Sequence, residues 1–512
     1  MLQIKDATIV HKKDLRTIVE HFSLVLNDGE KAVIIGEEGN GKSTLLQWIY
    51  EPERIADYCE AAGERILHGQ KTGYLPQELP VSDQSRSIYD FFQEEPLFFD
   101  TTPKELSRMA GMFGLSIEFF YSGQCMGTLS GGEKVKAQLL RLLLSEPEIL
   151  LLDEPSNDLD LNTLEWLETF ILNWKKIILF ISHDETLIEH TADVIIHMEQ
   201  IRRKTQCRHT VAHMSYPQYR ENRLHQFEHQ ARVAASDQRE KKLREEKYQR
   251  IYQSVAHAQD SISRQNPAKA RLLKKKMHAV KSMERRFARQ DEALTKMPEE
   301  ESAIFFKAGN EDTGIPAGKT VLAYSSEQLC TPDQSRILAE NVHLIIRGPE
   351  KICITGANGA GKTTLLNQIA DHLLCRTDIR AEYMPQNYEA LLPSDKTPVD
   401  FLDQSGDKQE RTKIRTYLGA LKYTADEMDH PISELSGGQK AKILLLKMSL
   451  SHADVLILDE PTRNFSPLSG PVIRQTLKQF PGAIISISHD RKYIAQVCDT
   501  VYHLTKNGLE KQ

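Results

Sequence analysis

The chain has 512 residues, of which 40 % are hydrophobic and 27 % charged, and a formal net charge of −7. Such a length holds two or more domains with separate cores, no apolar run nears the roughly 20 residues that cross a bilayer, and the opening MLQIKDATIV lacks the layout of a secretory signal. The seven cysteines, at 59, 125, 207, 330, 353, 375 and 498, form no C-x-x-C pair, which argues against a zinc or iron–sulfur module and points to reduced thiols in the cytoplasm.

From the N-terminus, Ala32 to Ile35 reads as a short buried strand that runs directly into GEEGNGKS and then a helical pattern. Gly36, Gly39 and Gly41 let that loop turn tightly enough to aim backbone N–H groups at phosphate oxygens. Lys42 then reaches the β- and γ-phosphates of a nucleotide, and Ser43, followed by Thr44, offers a hydroxyl to Mg2+. Gln77, in GYLPQ, fits a glutamine that senses the metal and its water. Residues 85–127 separate Gln77 from TLSGGEK, which carries Ser130, Gly131 and Gly132. Ile149–Leu152 is the next buried strand. Asp153 behind it is a hard oxygen ligand suited to Mg2+, and Glu154 is placed to take a proton from an attacking water. His183 follows a strand ending in Ile-Ser and is a candidate partner for the γ-phosphate. Taken alone, such a histidine is more often structural.

The middle of the chain is different. Residues 201–300 hold 24 Lys and Arg against 12 Asp and Glu, a local net charge of +12. Two readings stay open on composition: a polyanionic partner for this segment, or a Lys-rich solvated coiled coil. The spacing predicts a helix over about 217–258, with Leu224, Phe227, Ala231 and Ala234 and then Tyr248, Ile251, Tyr252 and Val255 on one stripe. A second helix is predicted over about 268–294, striped by Leu273, Met277, Val280 and Phe287 but interrupted at Glu284. Such stripes suit an antiparallel pair. QDSISRQNP breaks the two helices, with Pro267 placed to start the return. At 1.5 Å per residue the first helix reaches about 60 Å. The tip residues Ser261, Ile262, Ser263, Arg264 and Gln265 are candidates for contact with the partner.

After the middle segment every part recurs in the same order. CITGANGAGKTTLL repeats the first loop, with Gly356, Gly359, Gly361, Lys362, Thr363 and Thr364. EYMPQ brings Gln386, ELSGGQK brings Ser436, Gly437 and Gly438, the strand Val455–Leu458 brings Asp459 and Glu460, and ISISHD brings His489. An isolated octapeptide can match by accident; strand, loop and helix repeated in order mark a duplicated domain.

Taken together, LSGGEK and LSGGQK beside two such loops resemble the ATP-binding cassette (ABC) superfamily over nearly the whole chain. The resemblance implies an α/β fold of two tandem ABC-type P-loop ATPase domains joined by an α-helical antiparallel coiled-coil linker. The expected domains are residues 1–205, 206–302 and 303–512. It also implies that each signature helix caps the ATP held by the other domain, pairing Lys42 with Ser436 to Gly438 and Lys362 with Ser130 to Gly132. Three classes remain: the ATPase of a transporter with separate membrane subunits, a DNA-repair or chromosome ATPase, and an ABC-F protein. The insert lies between the cassettes and is of moderate size, which resembles the interdomain linker of ABC-F proteins. DEPTRNFSPLSGPVIR (459–474) is similar to the antibiotic-resistance ABC-F proteins of the Vga and Lsa group. That likeness implies a cytoplasmic monomer with paired cassettes. It would act on the 70S ribosome at the tRNA exit site, contacting rRNA and the P-site tRNA and countering drugs at the peptidyl-transferase centre. A housekeeping translation factor is the alternative. Where the first copy has Asp160, the second has Ser466, so unequal sites are expected.

Overall fold

The computed structural model describes residues 1–201, 206–260, 267–292, 295, 315–332, 334–388, 391–403, 405–463 and 465–512. The tip candidates Ser261, Ile262, Ser263, Arg264 and Gln265 lie outside the described residues, as does Leu294 at the expected end of the second helix. The chain divides into one unit of Met1–Tyr216 with Glu301–Gln512 and another of Pro217–Glu300.

The first half of the larger unit carries nine strands: β1 (Leu2–His11), β2 (Thr17–Leu26), β3 (Lys31–Ile35), β4 (Cys59–Ile66), β5 (Thr72–Leu75), β6 (Ile149–Asp153), β7 (Ile177–Ile181), β8 (Val194–Ile201) and β9 (Gln206–His213). Six of them form a sheet in the order β5-β6-β7-β3-β8-β9, parallel except for the antiparallel β8–β9 edge. β2-β1-β4 form a separate antiparallel sheet. Every residue of β6 and β7 is buried. Inner strands of a parallel sheet have both faces covered, so they lose the in–out alternation and read as continuous apolar runs. That is why ILLL at 149–152 reads as a buried strand in the sequence. The boundary expected at residue 205 falls ahead of β9, which the sheet takes as its last strand.

The second half repeats the plan with β10 (Thr320–Cys330), β11 (Ile337–Arg347), β12 (Lys351–Thr355), β13 (Ala381–Met384), β14 (Val455–Asp459), β15 (Ala483–Ile487), β16 (Thr500–Thr505) and β17 (Gly508–Lys511). Its six-stranded sheet runs β13-β14-β15-β12-β16-β17. In both halves the strand before the phosphate loop lies beside the strand before the His motif, and next comes the strand ending in Asp-Glu. Their carboxyl ends therefore lie side by side. This is where an open α/β sheet places its ligand.

The smaller unit is two helices, Tyr216–Asp260 and Pro267–Glu292. They run antiparallel: Tyr248 meets Phe287 edge-on, Lys241 pairs with Asp291 at 3.2 Å, and Asp237 accepts from the Thr295 N–H at 2.9 Å. Ala234, Leu273 and Val280 are buried on the expected seam. Leu224 is 57 % exposed instead. The return helix has 26 residues against 45 and its end, near Asp237, stops short of Leu224.

Candidate active sites

Each phosphate loop is shaped by backbone that only glycine tolerates. Gly36 and Gly356 both have φ 149°, and a Cβ on Gly36 would stand 2.3 Å from the Met198 carbonyl. Gly41 and Gly361 are left-handed N-caps of the helices Lys42–Tyr50 and Lys362–Leu374. Lys42 Nζ donates to the Gly36 and Glu37 carbonyls at 3.0 and 3.2 Å, and Lys362 Nζ to those of Gly356 and Ala357 at 2.9 and 3.0 Å. Burial holds both ammonium groups below their usual pKa. They are folded back over their own loops, at the place a phosphate would occupy.

Behind each loop stands the carboxylate pair. Ser43 Oγ donates to Asp153 Oδ1 at 2.9 Å, and the Tyr74 hydroxyl donates to Asp153 Oδ2 at 3.2 Å. In the second half Thr363 bonds Asp459, while Asp459 Oδ2 is buried without a hydrogen-bond partner among the described residues. Burial raises both aspartates to about 6. A hydroxyl beside a buried carboxylate, with Asp459 Oδ2 unsatisfied in the second half, is the hard donor set that Mg2+ takes alongside phosphate oxygens and water. The residues present fit that ion.

Glu154 and Glu460 follow in the left-handed region, at φ 49° and 52°. Strained backbone of this kind persists where the surroundings over-determine it, commonly at functional sites. Here each glutamate N–H donates back to the His-motif strand, at Ile181 (3.1 Å) and Ile487 (3.0 Å). The two carboxyls are shifted in opposite directions. Burial pushes Glu154 up, but His183 and Lys42 outweigh it and the net shift is downward. Glu460 is pushed up to about 8, by burial first and the Asp459 charge second. His183 Nε2 lies 2.9 Å from Glu154 Oε1, and its Nδ1 lies 2.6 Å from the Phe465 carbonyl of the other half. His489 Nε2 stands 3.8 Å from Glu460 Oε1, and its Nδ1 is buried without a partner among the described residues. Burial, then Lys362, lower its pKa to about 4.

Ser130 and Ser436 are helix caps. Each hydroxyl accepts from the N–H three residues on, and Glu133 or Gln439 returns the bond, closing a capping box on Gly131–Leu144 and on Gly437–Leu450. Gly131 passes so close to the Asp158 carbonyl that a Cβ would stand at 2.5 Å.

The halves meet crosswise. Ser130, Gly131, Gly359, Lys362, Thr363 and Glu460 line one cleft of about 730 Å³, which Thr364, Gln386, Asp459 and His489 also border. That is within the range of small-molecule sites. The opposite pairing, of Ser436 and Gly438 with the first loop, leaves only about 20 Å³. Asp160 caps its own helix by accepting from the Thr163 N–H at 2.9 Å, and its carboxylate also meets the backbone N–H of Asn358 in the other half. Asp158 does reach across, pairing with Arg463 at 2.9 Å and accepting at its carbonyl from Asn358 Nδ2 at 2.5 Å. No motif singles out Asp158, Arg463 or Glu38; they show only once the halves are docked. Gln386 reaches Asp158 at 3.4 Å, Gln77 is exposed, and Thr44 lies beside Tyr58.

Two P-loop sites, each completed by the signature helix of the other half, define an ATP-binding-cassette ATPase in tandem form. The chain belongs to the ABC transporter family, whose profile matches residues 19–157 and 339–463. It is similar to the ribosome protection protein VmlR of Bacillus subtilis, 28 % identical over 97 % of this chain and 86 % of that one. It is also similar to the putative ATP-binding protein YdiF of the same organism, 27 % identical over 97 % and 79 %. The archaeal ribosome recycling factor aABCE1, solved with the stalk protein aP1, shares the fold at a TM-score of 0.59 and 16 % identity, over 99 % of this chain and 90 % of that one. The chain is an ABC ATPase whose relatives over most of its length include ATP-binding proteins of the ABC-F kind. Among the described residues no helix is long and apolar enough to cross a membrane.

Proposed function

We propose that this chain is a cytoplasmic, monomeric ribosome-protection ATPase. Mg2+ and ATP close its paired cassettes while it sits at the tRNA exit site of the 70S ribosome. The linker tip then acts on the P-site tRNA or on rRNA at the peptidyl-transferase centre, and hydrolysis releases the protein. Lys42, Ser43, Asp153 and Gln77, and Lys362, Thr363, Asp459 and Gln386, hold nucleotide and metal; Glu154 and Glu460 take the water proton, with His183 and His489 beside the γ-phosphate. The observation that carries this reading is the pairing of ATP sites with a basic helical insert, net +12 over residues 201–300, in a chain similar over 97 % of its length to a ribosome protection protein. Lys and Arg along such a helix neutralise nucleic-acid backbone charge.

The test is expression in a drug-sensitive bacterium, scored for growth on a panel of ribosome-targeting antibiotics. Raised tolerance to drugs of the peptidyl-transferase centre, lost in Glu154→Gln/Glu460→Gln, is expected. Unchanged tolerance to the whole panel, with the protein present on ribosomes, would favour the housekeeping alternative. Ile262→Ala and Arg264→Ala, alone and together, should lower protection while leaving ATP-dependent ribosome binding intact; full protection by the double variant would remove those two side chains from the account.

A further inference from the structure

The two phosphate loops differ at one telling position. The second loop has Asn358, whose side-chain amide donates to the Asp158 carbonyl. The first has Glu38 in its place, and the Glu38 carboxylate accepts from the backbone N–H of Gly438, in the first turn of the signature helix Gly437–Leu450. A helix N-terminus is where an anion is held best. Next to it, Glu37 Oε1 lies 3.6 Å from Lys442 Nζ on the same helix, and that lysine side chain is only 10 % exposed. Loop carboxylates thus occupy the Gly438 N–H and face the Lys442 ammonium of the signature helix. The space remaining is about 20 Å³ against about 730 Å³ in the sister cleft, room for no more than a water.

We propose that Glu38 sets the nucleotide preference of the first composite site, standing in for the γ-phosphate and disfavouring ATP relative to ADP. The proposal rests on the reading of both pairings as ATP sites. A carboxylate tethered in the loop competes intramolecularly, and it competes only for the terminal phosphate, because that group is the one the signature helix receives. ADP lacks it and leaves the Glu38–Gly438 contact in place. ATP enters fully only when Glu38 swings out. The second site carries a neutral amide here and has no such competitor.

The test uses the full chain carrying Lys362→Ala, which removes phosphate binding at the second site. Radiolabelled ATP and ADP, each with Mg2+, are titrated by equilibrium dialysis against this chain and against the same chain with Glu38→Asn or Glu38→Gln. Asparagine is the residue the second loop already accommodates. The dissociation constant for ATP should fall about ten-fold in both variants, the scale of one charge-assisted hydrogen bond, while that for ADP changes less than about two-fold. Unchanged ATP affinity, or an equal change for both nucleotides, overturns the proposal. If none of these chains takes up ATP while Lys42→Ala still binds one equivalent, the first pairing is not an ATP site, and the role of Glu38 falls with it.

Discussion

Glu460 and Glu154 occupy matching positions and meet opposite surroundings. A carboxyl can take a proton from water only when ionised. Burial and Asp459 raise Glu460 to about 8, so its basic form predominates above that pH and is lost as pH falls through it. In Glu154→Gln, where the wide site works alone, kcat/KM for ATP hydrolysis should rise from about pH 7 to about pH 9, since this parameter reports free-enzyme ionisation. A flat or falling profile would contradict the assignment. The single variants should also differ. Glu460→Gln should lose about 100-fold or more of turnover, the usual size of a general-base term, while Glu154→Gln should lose only a few-fold. Equal losses would argue against unequal sites. The candidate catalytic residues are legible in the sequence because each sits in a motif tied to a strand end. The inequality is legible there only through Ser466. The larger causes are Glu38 on Gly438 and the Phe465 carbonyl on His183, contacts between residues hundreds of positions apart that no local pattern encodes.

At the scale of elements, the signature helices and the interface helices fix how the halves meet. Gly131→Ala forces a Cβ against the Asp158 carbonyl, where 2.5 Å is available. Overpacking of this sort costs about 1–3 kcal/mol, and because Asp158 also holds Arg463 and Asn358, ATPase activity should fall with stability. Further along the seam, Arg474 donates to Glu185 at 2.7 Å, with side-chain exposures of 3 % and 4 %. Removing one partner of such a buried pair costs up to about 3–5 kcal/mol, the lower end here because Arg474 keeps Gln496 at 2.8 Å and Asp490 at 3.8 Å, whereas replacing both with apolar residues is often neutral. Glu185→Ala should therefore lower the urea midpoint clearly, and Glu185→Leu/Arg474→Met should restore most of it. A single variant as stable as the parent would mean the pair contributes nothing. The signature helices and their crosswise pairing are expected from the ABC resemblance. The Arg474–Glu185 contact is not, because the two look like ordinary solvated charges until both are buried.

At the scale of the molecule, a basic helical pair is joined to two cassettes that together carry the opposite charge. The excess of 24 Lys and Arg over 12 Asp and Glu in residues 201–300 makes association with nucleic acid strongly salt-dependent. The duplication, the linker's helices and Pro267 as the start of its second helix were all readable in the sequence, since each rests on residues near one another in the chain. What remains to be measured is whether closure on ATP and attachment to the ribosome are one event. Sedimentation of Glu154→Gln/Glu460→Gln with Mg2+ and ATP through a sucrose gradient tests this most directly. Nucleotide then binds without turnover, so the variant should accumulate in the 70S fraction with ATP and leave it with ADP, and the parent should be retained less. Association equal to or weaker than the parent's, or independent of nucleotide, would contradict the ribosome-clamp reading.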